Sequence, residues 1–156
     1  MSTPRTRTPG QVAHTSKIHP QRWPHITMAL ALMAFGATAV AADEPARLAK
    51  LSDTELDAGM KSGVQRVLQQ VPIRMEDQAT LIGAEYESRS RVATYHYIRP
   101  SGVDASALRS RTTARNCSTP NVRALLGRGV TFRHMYMVGE QQIDFSVTQR
   151  DCLNVS

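Results

Sequence analysis

The stretch TFRHMYMVGEQQIDFSV, residues 131–147, decides the architecture. Gly139-Glu140 at its centre suits a two-residue type II′ turn, which needs a positive φ at its first position. That turn pairs Val138 with Gln141, Tyr136 with Ile143, His134 with Phe145 and Phe132 with Val147. The last three pairs put mostly apolar side chains on one face, so turn register and hydrophobic alternation agree. The opposite face carries Thr131, Arg133, Met135 and Met137 beside Asp144, Ser146 and Thr148. This is a hairpin with one wet and one buried side.

A second pair of strand-like runs precedes it. Thr80 to Glu87 and Arg91 to Arg99 are joined by Ser88-Arg89-Ser90, and Pro100 with Gly102 ends the second run. Val92, Thr94, His96 and Ile98 point one way along it, and Ala93, Tyr95 and Tyr97 the other. Upstream, Leu51 to Val71 reads as a long helix. Ser52 and Glu55 form a capping box, Leu51 and Leu56 have staple spacing, and Leu56, Met60, Val64, Val67, Leu68 and Val71 form an apolar stripe closed by Pro72. Gly59 and Gly63 weaken the middle and allow a close approach to a sheet. Asp104 can cap a short helix from Ala105 to about Arg115. A second short helix starts at Thr119, with Pro120 at its first position, and stops at Gly127 or Gly129. The expected fold is α+β: a four-stranded antiparallel sheet of two hairpins, with one long and two short helices on one side.

Residues 1–42 read as a signal peptide. Arg5, Arg7, Lys17 and Arg22 make a basic leader without acids, Ile26 to Phe35 is a short apolar run, and Ala39-Val40-Ala41-Ala42 offers a peptidase site. The apolar run is about half the ~20 residues a membrane-spanning helix needs. Cleavage after Ala41 or Ala42 fits equally well. Residues 43–50 are expected to be a flexible lead-in and residues 51–156 a single α+β domain, periplasmic or secreted.

Removing the leader reshapes the charge argument. The whole chain has 19 basic and 13 acidic residues, a net +6; the leader holds four of the basic ones, leaving 15 against 13, or +2. A nucleic-acid footprint asks for a strongly basic domain, so nucleic acid is not favoured as a partner. One asymmetry survives: from Arg99 to Arg133 there are seven arginines and one acid, Asp104. Such a run is either a solvated surface or a docking face for an anionic partner.

Two cysteines remain after cleavage, Cys117 and Cys152. In an oxidising compartment an isolated pair most simply forms a disulfide. Closing a loop of about 36 residues restricts the unfolded chain by roughly 3.5–4 kcal/mol in the entropy model. The spacing matches neither a Cys-x-x-Cys redox site nor a thiolate metal cluster. No cofactor and no metal site are expected.

An exported leader, an early helix ending in Val71-Pro72, the strand Tyr95-His96-Tyr97, Cys117, Leu125-Leu126, Gly129-Val130, an aromatic hairpin and Asp151-Cys152 together resemble small uncharacterised exported proteins of Gram-negative bacteria. These are loosely grouped with secreted virulence factors. The resemblance implies export and an α+β fold, and it carries no catalytic residue with it.

Three functional readings compete. His96 and His134 with nearby arginines could serve as acid and base in an exported nuclease or phosphodiesterase, since imidazole titrates near working pH. Met135 and Met137 beside His134 could hold Cu(I), which soft thioethers select; methionines filling gaps in a core explain them as well. The third reading is a binding module without catalysis, a monomer or weak dimer, whose partner is an unidentified protein or an anionic partner. Its expected contact residues are Tyr95, Tyr97, Arg99, Arg109 and Arg111. Which sheet face the helices cover stays open at this point: one choice exposes the two tyrosines, and the other makes them core, as the need to bury large side chains favours. The binding module is the reading the sequence supports best.

Overall fold

A computed structural model describes residues 43–153, so the leader reading of residues 1–42 lies outside the described residues. Five helices and five strands follow in the order α1 (Glu44–Lys50), α2 (Asp53–Leu68), β1 (Ile73–Arg74), β2 (Thr80–Glu87), β3 (Val92–Arg99), α3 (Ala105–Ser118), α4 (Pro120–Gly127), β4 (Thr131–Val138), β5 (Gln141–Val147) and α5 (Gln149–Leu153). The α+β class holds. The sheet has five strands in sequential order, not four. It is also mixed: β2–β3 and β4–β5 are antiparallel hairpins, but β3 and β4 run parallel from Val92↔Thr131 to Arg99↔Val138. The physical reason is the helical connection. A parallel neighbour needs a crossover of a dozen or more residues, and α3 and α4 supply it by returning the chain to the end of the sheet where β3 began.

The final hairpin has the register its turn dictates, with Phe132↔Val147, His134↔Phe145, Tyr136↔Ile143 and Val138↔Gln141. Gly139 takes a φ of +61° at the first turn position. The long helix also starts where its capping box places it. Glu55 N–H donates to Ser52 Oγ at 3.3 Å, and Ser52 N–H donates to Glu55 Oε2 at 2.8 Å. Leu56, Met60, Gly63, Val64 and Val67 form its buried stripe, while Leu68 turns outward. Asp104 caps α3 by accepting from the N–H groups of Ser106 and Ala107. That helix runs on to Ser118, so Cys117 sits in its last turn.

Within residues 43–50, expected to be a flexible lead-in, Glu44–Lys50 form α1, which packs against α4. Arg128, just past α4, holds the α1–α2 junction: its Nη1 donates to the carbonyls of Leu51 at 2.6 Å and Ala49 at 3.1 Å, and its Nη2 to Asp53 at 2.9 Å. Cys117 and Cys152 are disulfide-bonded, with Cα atoms 5.2 Å apart, which ties α5 to the end of α3.

The helices cover the tyrosine face of the sheet. Tyr95, Tyr97, Phe132, His134, Tyr136 and Phe145 are all buried there and stack across three strands, with ring centroids from 4.5 Å (Tyr97–Tyr136) to 6.4 Å (His134–Tyr136). Adjacent rings at these separations add roughly 0.5–1.5 kcal/mol per pair beyond area burial. No helix among the described residues is long and apolar enough to cross a membrane.

Candidate functional site

A groove of about 580 Å³ runs between α3 and the outer edge of β5. Ser106, Arg109, Ser110 and Thr113 form its helical wall; Ile143, Asp144 and Phe145 form the other side. Those three strand residues are consecutive, and successive side chains of a strand point to opposite faces. All three can line one groove only where it follows the strand's edge. Among the described residues no strand pairs with that edge, since β5 ends the sheet beside β4.

Helical spacing fixes what α3 presents. Leu108, Thr112 and Asn116 lie four apart and are buried against the sheet. Arg109 and Thr113 lie one position further round and face the groove. The Arg109 guanidinium sits 5.8 Å from the centroid of the Phe145 ring, an attraction worth about 0.5–1 kcal/mol at an exposed site. Behind this wall, Asn116 Nδ2 donates to His134 Nε2 at 2.9 Å, and Thr112 Oγ1 lies 3.3 Å from the Tyr136 hydroxyl. Burial, reinforced by the Arg115 charge, pushes the His134 imidazole down to about 3. Neutral over the ordinary pH range, it acts as a packing group.

The five contact residues expected from sequence part company. Tyr95 and Tyr97 are each 1 % exposed, so neither ring reaches a partner; the helices took their face because it offers the larger apolar surface. Arg99 is spent on Asp77, at 2.8 Å. Arg111 is exposed on α3, but two residues, or about 200°, round the helix from Arg109. Only Arg109 lies at the groove. Sequence reading missed Ser106, Ser110, Thr113 and Phe145, and above all the free edge of β5.

The competing chemistries are not assembled. His134 is buried on the helix side, whereas His96 lies on the open face, 3.4 Å from Glu85 Oε1. The register explains this, since His134 lies opposite Tyr95 and His96 opposite Met135. The two-histidine nuclease site is therefore split by the sheet itself. The same parity removes His134 from Met135 and Met137, which lie on the open face. Among the described residues no group of three His, Cys, Asp or Glu side chains is placed to hold a metal ion. The open face does carry an apolar patch, with Ile82 at 42 %, Ile98 at 51 % and Met137 at 41 % exposure.

No protein-family model matches the chain, and no curated protein matches it in sequence. Solved structures superpose on its fold. The pilotin EpsS of the type 2 secretion system of Vibrio vulnificus superposes with a TM-score of 0.57 at 17% identity, over 64% of this chain and 94% of that one. The type II secretion pilotin AspS of Vibrio cholerae gives 0.55 at 12%, over 64% and 94%. A candidate secreted protein of Pseudomonas aeruginosa gives 0.53 at 18%, over 66% and 97%. The chain shares their fold.

Proposed function

We propose that this protein is an exported, non-catalytic binding module that holds another protein of the cell envelope in the groove between α3 and β5. The observation that carries the reading is the coincidence, in one place, of an unpaired strand edge, an apolar floor and Arg109. Such a site offers backbone hydrogen bonds, burial and one charge, which suffice for recognition. Two fold neighbours are pilotins of type 2 secretion systems, which favours a partner belonging to a secretion machine and a place in the periplasm or beyond.

The test is to fill the groove. Ser110→Trp places a large ring on an exposed position of the wall, while Lys61→Trp does the same on α2, away from it. Each variant is expressed with its leader, recovered after export, and compared with the unaltered protein for the partners that co-purify and for melting temperature. Loss of co-purifying partner in Ser110→Trp alone, at unchanged melting temperature, is the expected result. Equal capture by all three proteins would remove the groove from consideration.

A further inference from the structure

We infer that the occupant of the groove is an acidic, extended polypeptide segment that adds to β5 as a further strand; this rests on the binding-module reading and names the class of partner. The first observation is the asymmetry of the two sheet edges. At one edge β1 is only two residues long, Ile73–Arg74, and covers just the start of β2; the rest of that edge is β2 itself, with a register shift at Leu81/Gly83 and the exposed charges of Glu85 and Glu87. Short edge strands are one way proteins prevent unwanted pairing. At the other edge β5 runs for seven residues, Gln141–Val147, in unbroken register with β4 and without a bulge. It contains no proline and no lysine. Its one charged side chain, Asp144, is hydrogen-bonded to Arg133 across the open face. Apart from that paired carboxylate, β5 carries no bulge, proline or lysine to blunt it, and its outward N–H and C=O groups are a template for pairing.

The second observation is charge. Helix α3 carries no acidic residue, and of its three arginines Arg109 is the one that lines the groove. The acids around the groove are already engaged: Asp104 caps α3, Asp144 binds Arg133, and Asp151 Oδ2 accepts from the Thr148 backbone N–H and hydroxyl at 2.7 Å each. Among the described residues no carboxylate lies within ion-pair distance of Arg109; only its longer-range field reaches Asp151. The uncompensated charge at the groove is positive, and the complement is a carboxylate.

These two observations together choose an extended occupant over a helical one. An added strand lies about 4.8 Å from β5 and uses its free backbone groups, with alternate side chains turned toward the wall of α3. There an Asp or Glu meets the Arg109 guanidinium, and the hydroxyls of Ser110 and Thr113 are within the same groove. A helix, about 10 Å across, satisfies its own backbone and leaves every amide of the edge unmatched.

Three synthetic ten-residue peptides separate the possibilities: one alternating valine or threonine with glutamate, its counterpart with lysine, and a helix-forming alanine, leucine and glutamate peptide of equal charge. Binding is measured by titration, and amide hydrogen exchange is followed across residues 141–147 of the exported protein. Saturable binding of the first peptide alone, with protection at alternate β5 amides and affinity lowered about tenfold or more by Arg109→Glu, is the expected outcome. Tighter binding of the helical peptide, binding of the lysine peptide, or binding without β5 protection overturns the inference. So does the absence of binding by all three. The groove itself fails separately, if Ser110→Trp still captures the natural partner.

Discussion

Acidification to about pH 5 should weaken this fold through one side chain, His134. The ring is 1 % exposed and stacked between Tyr97, Tyr136 and Phe145. Asn116 Nδ2 donates to its Nε2, which leaves the ring proton on Nδ1. Burial first, and the Arg115 charge second, lower its pKa from 6.5 to about 3. The sign follows from proton counting: between those two values the unfolded chain binds a proton that the fold refuses, so stability falls as pH drops below 6.5. The expected loss between about pH 7.5 and pH 5 is about 2 kcal/mol, and it reaches about 4 kcal/mol near pH 3. Carboxylates held low by partners, such as Asp144 by Arg133, lose their contribution only at and below the ordinary carboxylate range, so pH 5 largely isolates the imidazole. Urea unfolding at the two pH values should show the midpoint falling by about 1 M. The informative control is the double variant Asn116→Leu with His134→Phe. It removes both hydrogen-bonding partners together and avoids the cost of orphaning one of them. That variant should keep nearly the same midpoint at both pH values. If it loses as much stability as the unaltered protein, the protonation argument is wrong.

Three further outcomes are expected. Changing both Cys117 and Cys152 to serine releases a loop spanning 35 positions, so urea unfolding should show a loss of about 3.5–4 kcal/mol relative to the oxidised protein. Arg128→Ala removes charged hydrogen bonds to the carbonyls of Ala49 and Leu51; it should cost about 1–3 kcal/mol and raise amide exchange first in α1. Gly139→Ala meets no atom closer than 4.0 Å, so its effect is purely conformational: about 1–2 kcal/mol from the positive φ, read as a lower melting temperature with the fold intact.

Local chemistry made parts of this molecule readable in advance. The final hairpin was legible because a two-residue turn and an alternating pattern dictate register independently, and here they coincide. The start of α2 was legible because Ser52 and Glu55 satisfy each other's backbone donors. What escaped was long-range. Nothing in Val92–Arg99 or Thr131–Val138 distinguishes a parallel neighbour from an antiparallel one; the choice belongs to the helical crossover between them. Helix α1 escaped because only Leu48 is buried in it, and its position depends on Arg128, about 80 residues away. The tyrosine face could not be assigned until the helices had a side. The groove was hidden for the same reason, since it exists only once α3 lies beside the strand that ends the sheet.

The most direct test places a photo-crosslinking residue at Ser110, in the groove, and in a second protein at Ile98, on the open sheet face. Both are exported in the native cell and irradiated. The account predicts a discrete adduct from position 110 that disappears with Arg109→Glu, and none from position 98. An adduct from position 98 alone would contradict it, and would assign partner binding to the apolar patch of Ile82, Ile98 and Met137.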